Sequence, residues 1–171
     1  YLSKKFRMKI IDKKKLYINS IIVFSIFLID RISKLFIIKL NNESYTNDLY
    51  LSKFLNIQLI WNEGIAFGLL SFGQKNLYNI ITIIILIIIL GIIYMIINSN
   101  GFKMYSLLMI LGGALGNAFD RLFYKAVPDF IDLHLGDLHW FIFNIADIFI
   151  SVGVIFMILF ELIGINEKRY D

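Results

Sequence analysis

L-Y-N-I-I-T-I-I-I-L-I-I-I-L-G-I-I-Y-M-I-I, residues 77–97, carries no charged side chain. A hydrocarbon core about 30 Å thick is crossed by around 20 apolar residues in helical form, so this stretch reads as a membrane-spanning helix. Working outward from it, three more stretches reach that length: residues 16–38, 104–123 and 138–165. Asp30, Arg31 and Lys34 interrupt the second half of the first. Asn117, Asp120 and Arg121 lie near the end of the third, and Asn144 and Asp147 near the start of the fourth. The composition agrees, with 58% hydrophobic residues, 18% charged and a single Pro. That is too apolar for a soluble domain and the opposite of a disordered chain. The fold class is therefore read as an α-helical membrane protein of four transmembrane helices, one domain over residues 1–171.

The distribution of charge sets the expected orientation. Seven of the seventeen Lys and Arg residues precede Leu16, and cytoplasmic flanks are the ones enriched in Lys and Arg. The N-terminus is placed inside; four spans return the C-terminus, with Lys168 and Arg169, to the same side. Residues 39–76 and 124–137 then face outward, with Glu43, Asp48, Glu63, Asp129, Asp132 and Asp137 giving them an acidic bias. A net charge of +4 concentrated at one terminus points to membrane topology and not to nucleic acid. No small-residue cleavage site follows the first apolar run, so it is read as a retained helix and not as a signal peptide. The chain opens on Tyr1, with Met8 a candidate natural start. The outer segment of residues 39–76 is too long for a plain turn. L-N-I-Q-L-I-W at 55–61 partly alternates and is rich in β-formers, and Gly64 and Gly68 follow, so a small extracytoplasmic β-cradle is expected between helices 1 and 2. Tyr45, Tyr50, Phe54, Trp61 and Trp140 suit an interfacial aromatic belt.

Ionisable residues inside a spanning helix cost at least about 2.5 kcal/mol on insertion scales, which makes each a candidate for function with a partner. At 1.5 Å per residue from the outer end of each helix, Asp30 lies roughly 12 Å deep, Asn117 roughly 9 Å and Asp147 roughly 14 Å. Three helices thus bring carboxylates and amides to one outer layer. Plainer roles compete for several of these residues. Asp30 with Lys34 fits a helix-surface ion pair snorkelling to the interface. Asp120 with Arg121 fits a structural ion pair, and G-G-A-L-G at 112–116 fits close helix packing. His134 and His139 are five residues apart, which does not put both on one helix face, and H-E-x-x-H is absent, so no metal ligands are assigned and no cofactor is expected. With no Cys in the chain, thiolate chemistry is excluded.

Asp147 stands apart, in F-N-I-A-D-I-F-I without a nearby cation in sequence and with Asn144 three residues before it. Apolar surroundings raise a carboxyl pKa, and a second carboxylate raises one of the pair further. Such a pair can activate water with one oxygen and polarise a carbonyl with the other, which hydrolyses a peptide without a covalent intermediate. Asp129 in V-P-D-F is the natural partner. The competing reading is a small ion or proton transporter with Asp30, Asp120 and Asp147 as a relay, which calls for polar residues through the full membrane depth.

Five blocks in order, D-R-I-S-K at 30–34, N-E-G-I-A-F-G at 62–68, G-G-A-L-G-N-A-F-D-R at 112–121, V-P-D-F at 127–130 and F-N-I-A-D at 143–147, resemble the bacterial lipoprotein signal peptidases, signal peptidase II. The resemblance implies an aspartic endopeptidase of the bacterial inner membrane that removes signal peptides from diacylglyceryl-modified prolipoproteins before the lipidated cysteine. It implies Asp129 and Asp147 as the catalytic dyad, with Asp30, Lys34, Asn62, Gly64, Asn117, Asp120, Arg121 and Asn144 binding substrate or supporting the dyad. It also implies membrane lipids as surroundings and cyclic peptide antibiotics of the globomycin type as inhibitors. The chain departs from the usual pattern at Arg31, where the family has Gln, at Lys125, commonly Gly, at Phe141, often Pro, and at Pro128.

Overall fold

The computed structural model describes residues 13–43, 48–50, 52–64, 74–136 and 138–163. Among these residues four helices and four strands run in the order α1 (Lys13–Glu43), β1 (Asp48–Tyr50), β2 (Leu55–Asn62), α2 (Gln74–Ile97), α3 (Gly101–Tyr124), β3 (Val127–Leu135), β4 (Leu138–Phe143) and α4 (Ile145–Leu162). Among the described residues, three helical stretches, Tyr78–Ile97, Gly101–Tyr124 and Ile145–Leu162, are long and apolar enough to cross a membrane. Helix α1 is longer than any of them, but Asp30, Arg31 and Lys34 break its apolar run. Helix α2 leaves Ile83, Ile84, Ile87, Ile88, Leu90 and Tyr94 uncovered. A contiguous apolar face of that kind is stable only against lipid or another protein.

Helix α3 is central, packed against α1, α2 and α4. Ile89 and Ile92 of α2 close on Leu107, Ile110, Leu111 and Ala118 of α3 to form the apolar core. Small residues permit the other two contacts. A Cβ on Gly112 would stand 2.7 Å from Ile26 Cβ of α1, one on Gly113 would stand 2.5 Å from the carbonyl oxygen of Ala146, and one on Gly153 would stand 2.8 Å from that of Ser106. The packing role expected for residues 112–116 is the one observed, although Gly116 also makes room for the Asp30 carboxylate.

The sheet corrects the expectation that placed it wholly between the first two helices. Its order is β1-β2-β3-β4, all antiparallel, and β3 and β4 come from the segment joining α3 to α4. The fourth helix accordingly starts at Ile145 and not at Leu138. L-H-W-F-I-F at 138–143 is apolar enough to merge with the helix in a hydropathy reading. It is also rich in β-favouring aromatics, and β3 offers it a partner, with Ile131 facing Phe143 and Leu135 facing Leu138. Pro128 suits its place, because it holds Val127 extended at the first residue of β3. Lys125 ends α3 in the left-handed conformation at φ 61°, where a glycine would be free of strain. Of the expected aromatic belt, Phe54, Trp61 and Trp140 are exposed; Tyr45, the second cradle glycine Gly68 and the basic residues before Lys13 lie outside the described residues.

Close packing at Gly113 should make Gly113→Ala destabilising by about 1–3 kcal/mol, since the backbone of α4 must shift. Gly91, whose Cβ would meet nothing within 4 Å, should accept Ala with a gain of up to about 1 kcal/mol. Thermal unfolding of the two variants in detergent reads both, and equal effects would refute the packing assignment.

Candidate active site

Where α4 begins, Asn144 forms a capping box with Asp147: its side-chain oxygen accepts from the Asp147 N–H at 3.2 Å, and its own N–H donates to Asp147 Oδ2 at 3.1 Å. Asp147 is thus in the first turn of the helix and not mid-helix, the depth expected for it having rested on a start at Leu138. A carboxylate at a helix N-terminus is favoured by the free N–H groups there. Asn117 of α3 gives the Asp147 carboxylate a second donor, to Oδ1 at 2.8 Å.

Asp129 sits on β3 and not on a free loop, paired across the strands with Ile60. Its two oxygens accept from Asn144 Nδ2 at 2.6 Å and Asn62 Nδ2 at 2.9 Å. Asn144 therefore touches both aspartates. Asn62 is held in turn by the Gly64 N–H, which donates to its Oδ1 at 2.7 Å. Gly64 takes φ +78°, and a Cβ there would press on the Arg121 guanidinium at 3.2 Å. Burial pushes the Asp129 carboxyl above its ordinary range, with the Asp147 charge adding in the same direction; the hydrogen bonds from Asn62 and Asn144 and the charge of Lys34 oppose it.

Beneath this pair lies a buried ionic cluster. Lys34 Nζ is 2.9 Å from the Asp30 carboxylate, 2.7 Å from Asp120 Oδ2 and 2.9 Å from Asn117 Oδ1. Lys34, Asp30 and Asp120 are fully buried. Lys34 therefore does not snorkel, because its partners are inside the bundle. Asp120 pairs with Lys34 and with Arg31, at 2.5 Å, and not with Arg121 as expected. Adjacent residues on a helix point about 100° apart, so Arg121 turns toward Gly64 while Asp120 faces α1. Arg31, which had no role in the sequence reading, lies over the Phe119 ring at 4.9 Å. Its signal was available in the spacing from Lys34, one helical turn away. Asp30 reaches α4 as well, its Oδ1 accepting from the Ala146 N–H at 3.1 Å.

Every residue marked in the sequence as catalytic or supporting meets in this layer. Arg121 contributes differently from the others, because its Nε and Nη1 are buried without a hydrogen-bond partner among the described residues, while its carbonyl accepts from the Tyr78 hydroxyl at 2.6 Å. His134 and His139 lie on the β3–β4 hairpin, outside the network.

Comparison with known proteins gives one consistent result. A family model described as signal peptidase (SPase) II matches residues 22–163. A lipoprotein signal peptidase of Pelagibacter ubique is 48% identical over 164 residues, covering 96% of this chain and 99% of that protein. One from Thermodesulfovibrio yellowstonii is 42% identical over 146 residues, covering 84% and 94%. A solved structure described as a bacterial membrane enzyme, determined by the in meso method at 2.3 Å resolution, superposes with a TM-score of 0.68 at 31% identity, covering 90% of this chain and 92% of that one.

The direction of the Asp129 shift has a consequence for stability. Because burial makes the folded state hold the proton more tightly than the unfolded chain does, the stabilisation is complete below the ordinary value of 3.8 and is lost as pH rises through the folded-state value. The melting temperature of the unmodified protein should therefore fall relative to that of Asp129→Asn as pH is raised from about 4 to about 8. Parallel melting curves would show that Asp129 titrates as an ordinary carboxyl.

Proposed function

The chain belongs to the signal peptidase II family and is a bacterial membrane peptidase that removes signal peptides from prolipoproteins; we propose that it does so as an aspartic endopeptidase with Asp129 and Asp147 as its dyad. The observation that carries this reading is the bridging of both carboxylates by Asn144. It holds two acids with different surroundings at one place. Asp147, half-buried and served by N–H donors at a helix start, suits the ionised member. Asp129, buried and shifted upward, suits the protonated one.

In the proposed reaction the Asp147 carboxylate takes a proton from water as its oxygen attacks the scissile carbonyl carbon. Asp129 donates a hydrogen bond to the carbonyl oxygen and stabilises the charge that develops there. As the tetrahedral intermediate collapses, the C–N bond breaks and the proton taken from water passes to the leaving amine. The carbonyl re-forms, and the dyad is left with the one proton it began with. Asn62 and Asn144 fix the Asp129 oxygens; Lys34, Asp30 and Asp120 hold Asn117 and the start of α4 beneath them. Arg121, whose Nε and Nη1 have no hydrogen-bond partner among the described residues and whose guanidinium lies beside Gly64, is suited to a carbonyl of the bound peptide.

Four transmembrane helices follow if α1 is counted as a span, because its charges are paired inside the bundle and need no water. With both termini cytoplasmic, residues 39–76 and 124–137 and the dyad face the outer side of the bacterial inner membrane, and residues 1–171 make one domain. An apolar groove of about 970 Å³ between α1, α2 and α3, lined by Val23, Phe27, Leu86, Leu111, Leu115 and Phe119 among others, is open to lipid and suits acyl chains of a diacylglyceryl-modified substrate. Cyclic peptide antibiotics of the globomycin type would inhibit by occupying the dyad.

Asp129→Asn and Asp147→Asn should each abolish cleavage of a lipid-modified prolipoprotein by the purified enzyme. The double variant should be hardly worse than either, since residues acting as a unit are not additive. Glu43→Gln, a change at an exposed helix end, should leave the rate unaltered. Substantial cleavage by either folded single variant would remove the aspartic mechanism. Unlipidated substrate should be cut poorly, because each buried CH₂ of the lipid favours entry by about 0.8 kcal/mol; equal rates on both forms would remove the lipid-dependent entry. For topology, Leu135→Cys should react with an impermeant thiol reagent added outside and Ser99→Cys should not; the reverse would invert the orientation.

A further inference from the structure

On the hairpin of β3 and β4, His134 and His139 face each other across the strands. Asp132 precedes His134 by two residues, and the strand register is irregular between Leu133 and His134. That irregularity, together with the turn at Gly136 with φ 60°, turns the three side chains toward one point. His139 Nδ1 lies 2.7 Å from Asp132 Oδ2 and His134 Nδ1 lies 3.7 Å from the same oxygen. One ligand atom from each of the three residues can be chosen so that all lie within 4.8 Å of one another.

A hydrogen bond between His139 and Asp132 alone does not account for the arrangement. Asp132 is fully buried and its Oδ1 has no partner among the described residues. The His134 side chain is 10% exposed, and its Nδ1 is buried with no hydrogen-bond partner among the described residues, Asp132 Oδ2 lying beyond that range at 3.7 Å. Unpaired buried polar atoms are costly and rare. Here two of them, Asp132 Oδ1 and His134 Nδ1, belong to residues of one small cluster, whose contacts to the two rings are made by the other carboxylate oxygen, Oδ2.

From this geometry we infer that Asp132, His134 and His139 form a binding site for one divalent transition metal ion of the zinc class. Two imidazoles and a carboxylate are a donor set that zinc accepts, at about 2.0–2.2 Å from each ligand. A tetrahedral ion at such distances separates its ligand atoms by roughly 3.3 Å; the two separations from Asp132 Oδ2 to the rings, 2.7 and 3.7 Å, lie either side of that, and ligand atoms of all three residues lie within 4.8 Å of one another. Small rotations of the two rings supply the difference. His139 has a half-exposed side chain and gives the ion an entry path from water, which would complete the fourth position. The site is structural. It ties β4 to β3, the strand that carries Asp129 three residues before Asp132, and so acts on the dyad only by positioning that strand.

The test uses the full chain, free of any polyhistidine tag, in detergent and stripped with a chelator. Zn²⁺ is titrated in and bound metal is measured by elemental analysis, with Co²⁺ as a second probe whose ligand-field spectrum reports nitrogen and oxygen ligands. About one ion per chain is expected, with His134→Ala and His139→Ala each weakening binding roughly ten-fold or more and abolishing the Co²⁺ spectrum. His139→Ala alters a half-exposed side chain, so its fold can be verified by thermal unfolding even if Asp132→Asn fails to fold. Occupancy well below one ion, or equal affinity in the unmodified protein and His139→Ala, would overturn the inference. Metal content is read without any substrate, so this result stands or falls separately from the peptidase mechanism.

Discussion

Charge neutrality inside the helix bundle is the constraint from which the rest is built. Asp30 and Asp120 on one side and Arg31 and Lys34 on the other are all buried, and their formal charges cancel. Removing any one would leave an unpaired charge in a low-dielectric interior, a far larger penalty than losing a surface pair. The cluster joins α1 to α3, and the Asp30 bond to the Ala146 N–H extends it to α4. It also fixes the polarity of the layer above. Lys34 is donor only, so the atom of Asn117 facing it is the oxygen. The amide nitrogen of Asn117 must then point the other way, where it meets Asp147.

Asn144 passes that polarity on. Its nitrogen donates to Asn117 and to Asp129, and its oxygen accepts from the Asp147 backbone. Reversing the amide would set nitrogen against N–H and oxygen against carboxylate at once. One side chain thereby joins the sheet, α3 and α4, and gives the two aspartates unequal surroundings. Asp129 is buried on β3 beneath Asn62 and Asn144, whereas half-buried Asp147 lies in the first turn of a helix. Two acids that are to divide the roles of base and hydrogen-bond donor need that inequality.

The helices were legible because a run of apolar residues long enough to span lipid has few other uses. The layer of polar residues was legible because their cost in such a run demands a reason. The second half of the sheet was not. Leu138–Phe143 is as apolar as the helix after it, so hydropathy alone merged the two, although Asn144 followed three residues later by Asp147 has the N-x-x-D form of a cap. The pairing of Asp120 was missed for a related reason. Neighbours in sequence such as Arg121 are not neighbours on a helix, and the true partners, Arg31 and Lys34, are on another helix. His134 and His139 were judged by helical spacing, when a hairpin makes a five-residue separation a direct cross-strand contact.

The departures from the family pattern can be sorted by the same physics. Arg31 adds a cation where the family usually has Gln, and neutrality of the cluster in this chain depends on it, since Lys34 alone would face two carboxylates. Lys125 accepts a left-handed backbone in place of a glycine, which costs stability at the end of α3 but touches no member of the dyad. Pro128 is buried at the start of β3, where the extended backbone it favours is already required. Phe141 is mostly exposed on β4. Three of the four thus lie in backbone or surface positions around the aspartates. Arg31, the one that changes charge, is also the one whose side chain finds new partners, because within the bundle an added charge must be matched by one already there.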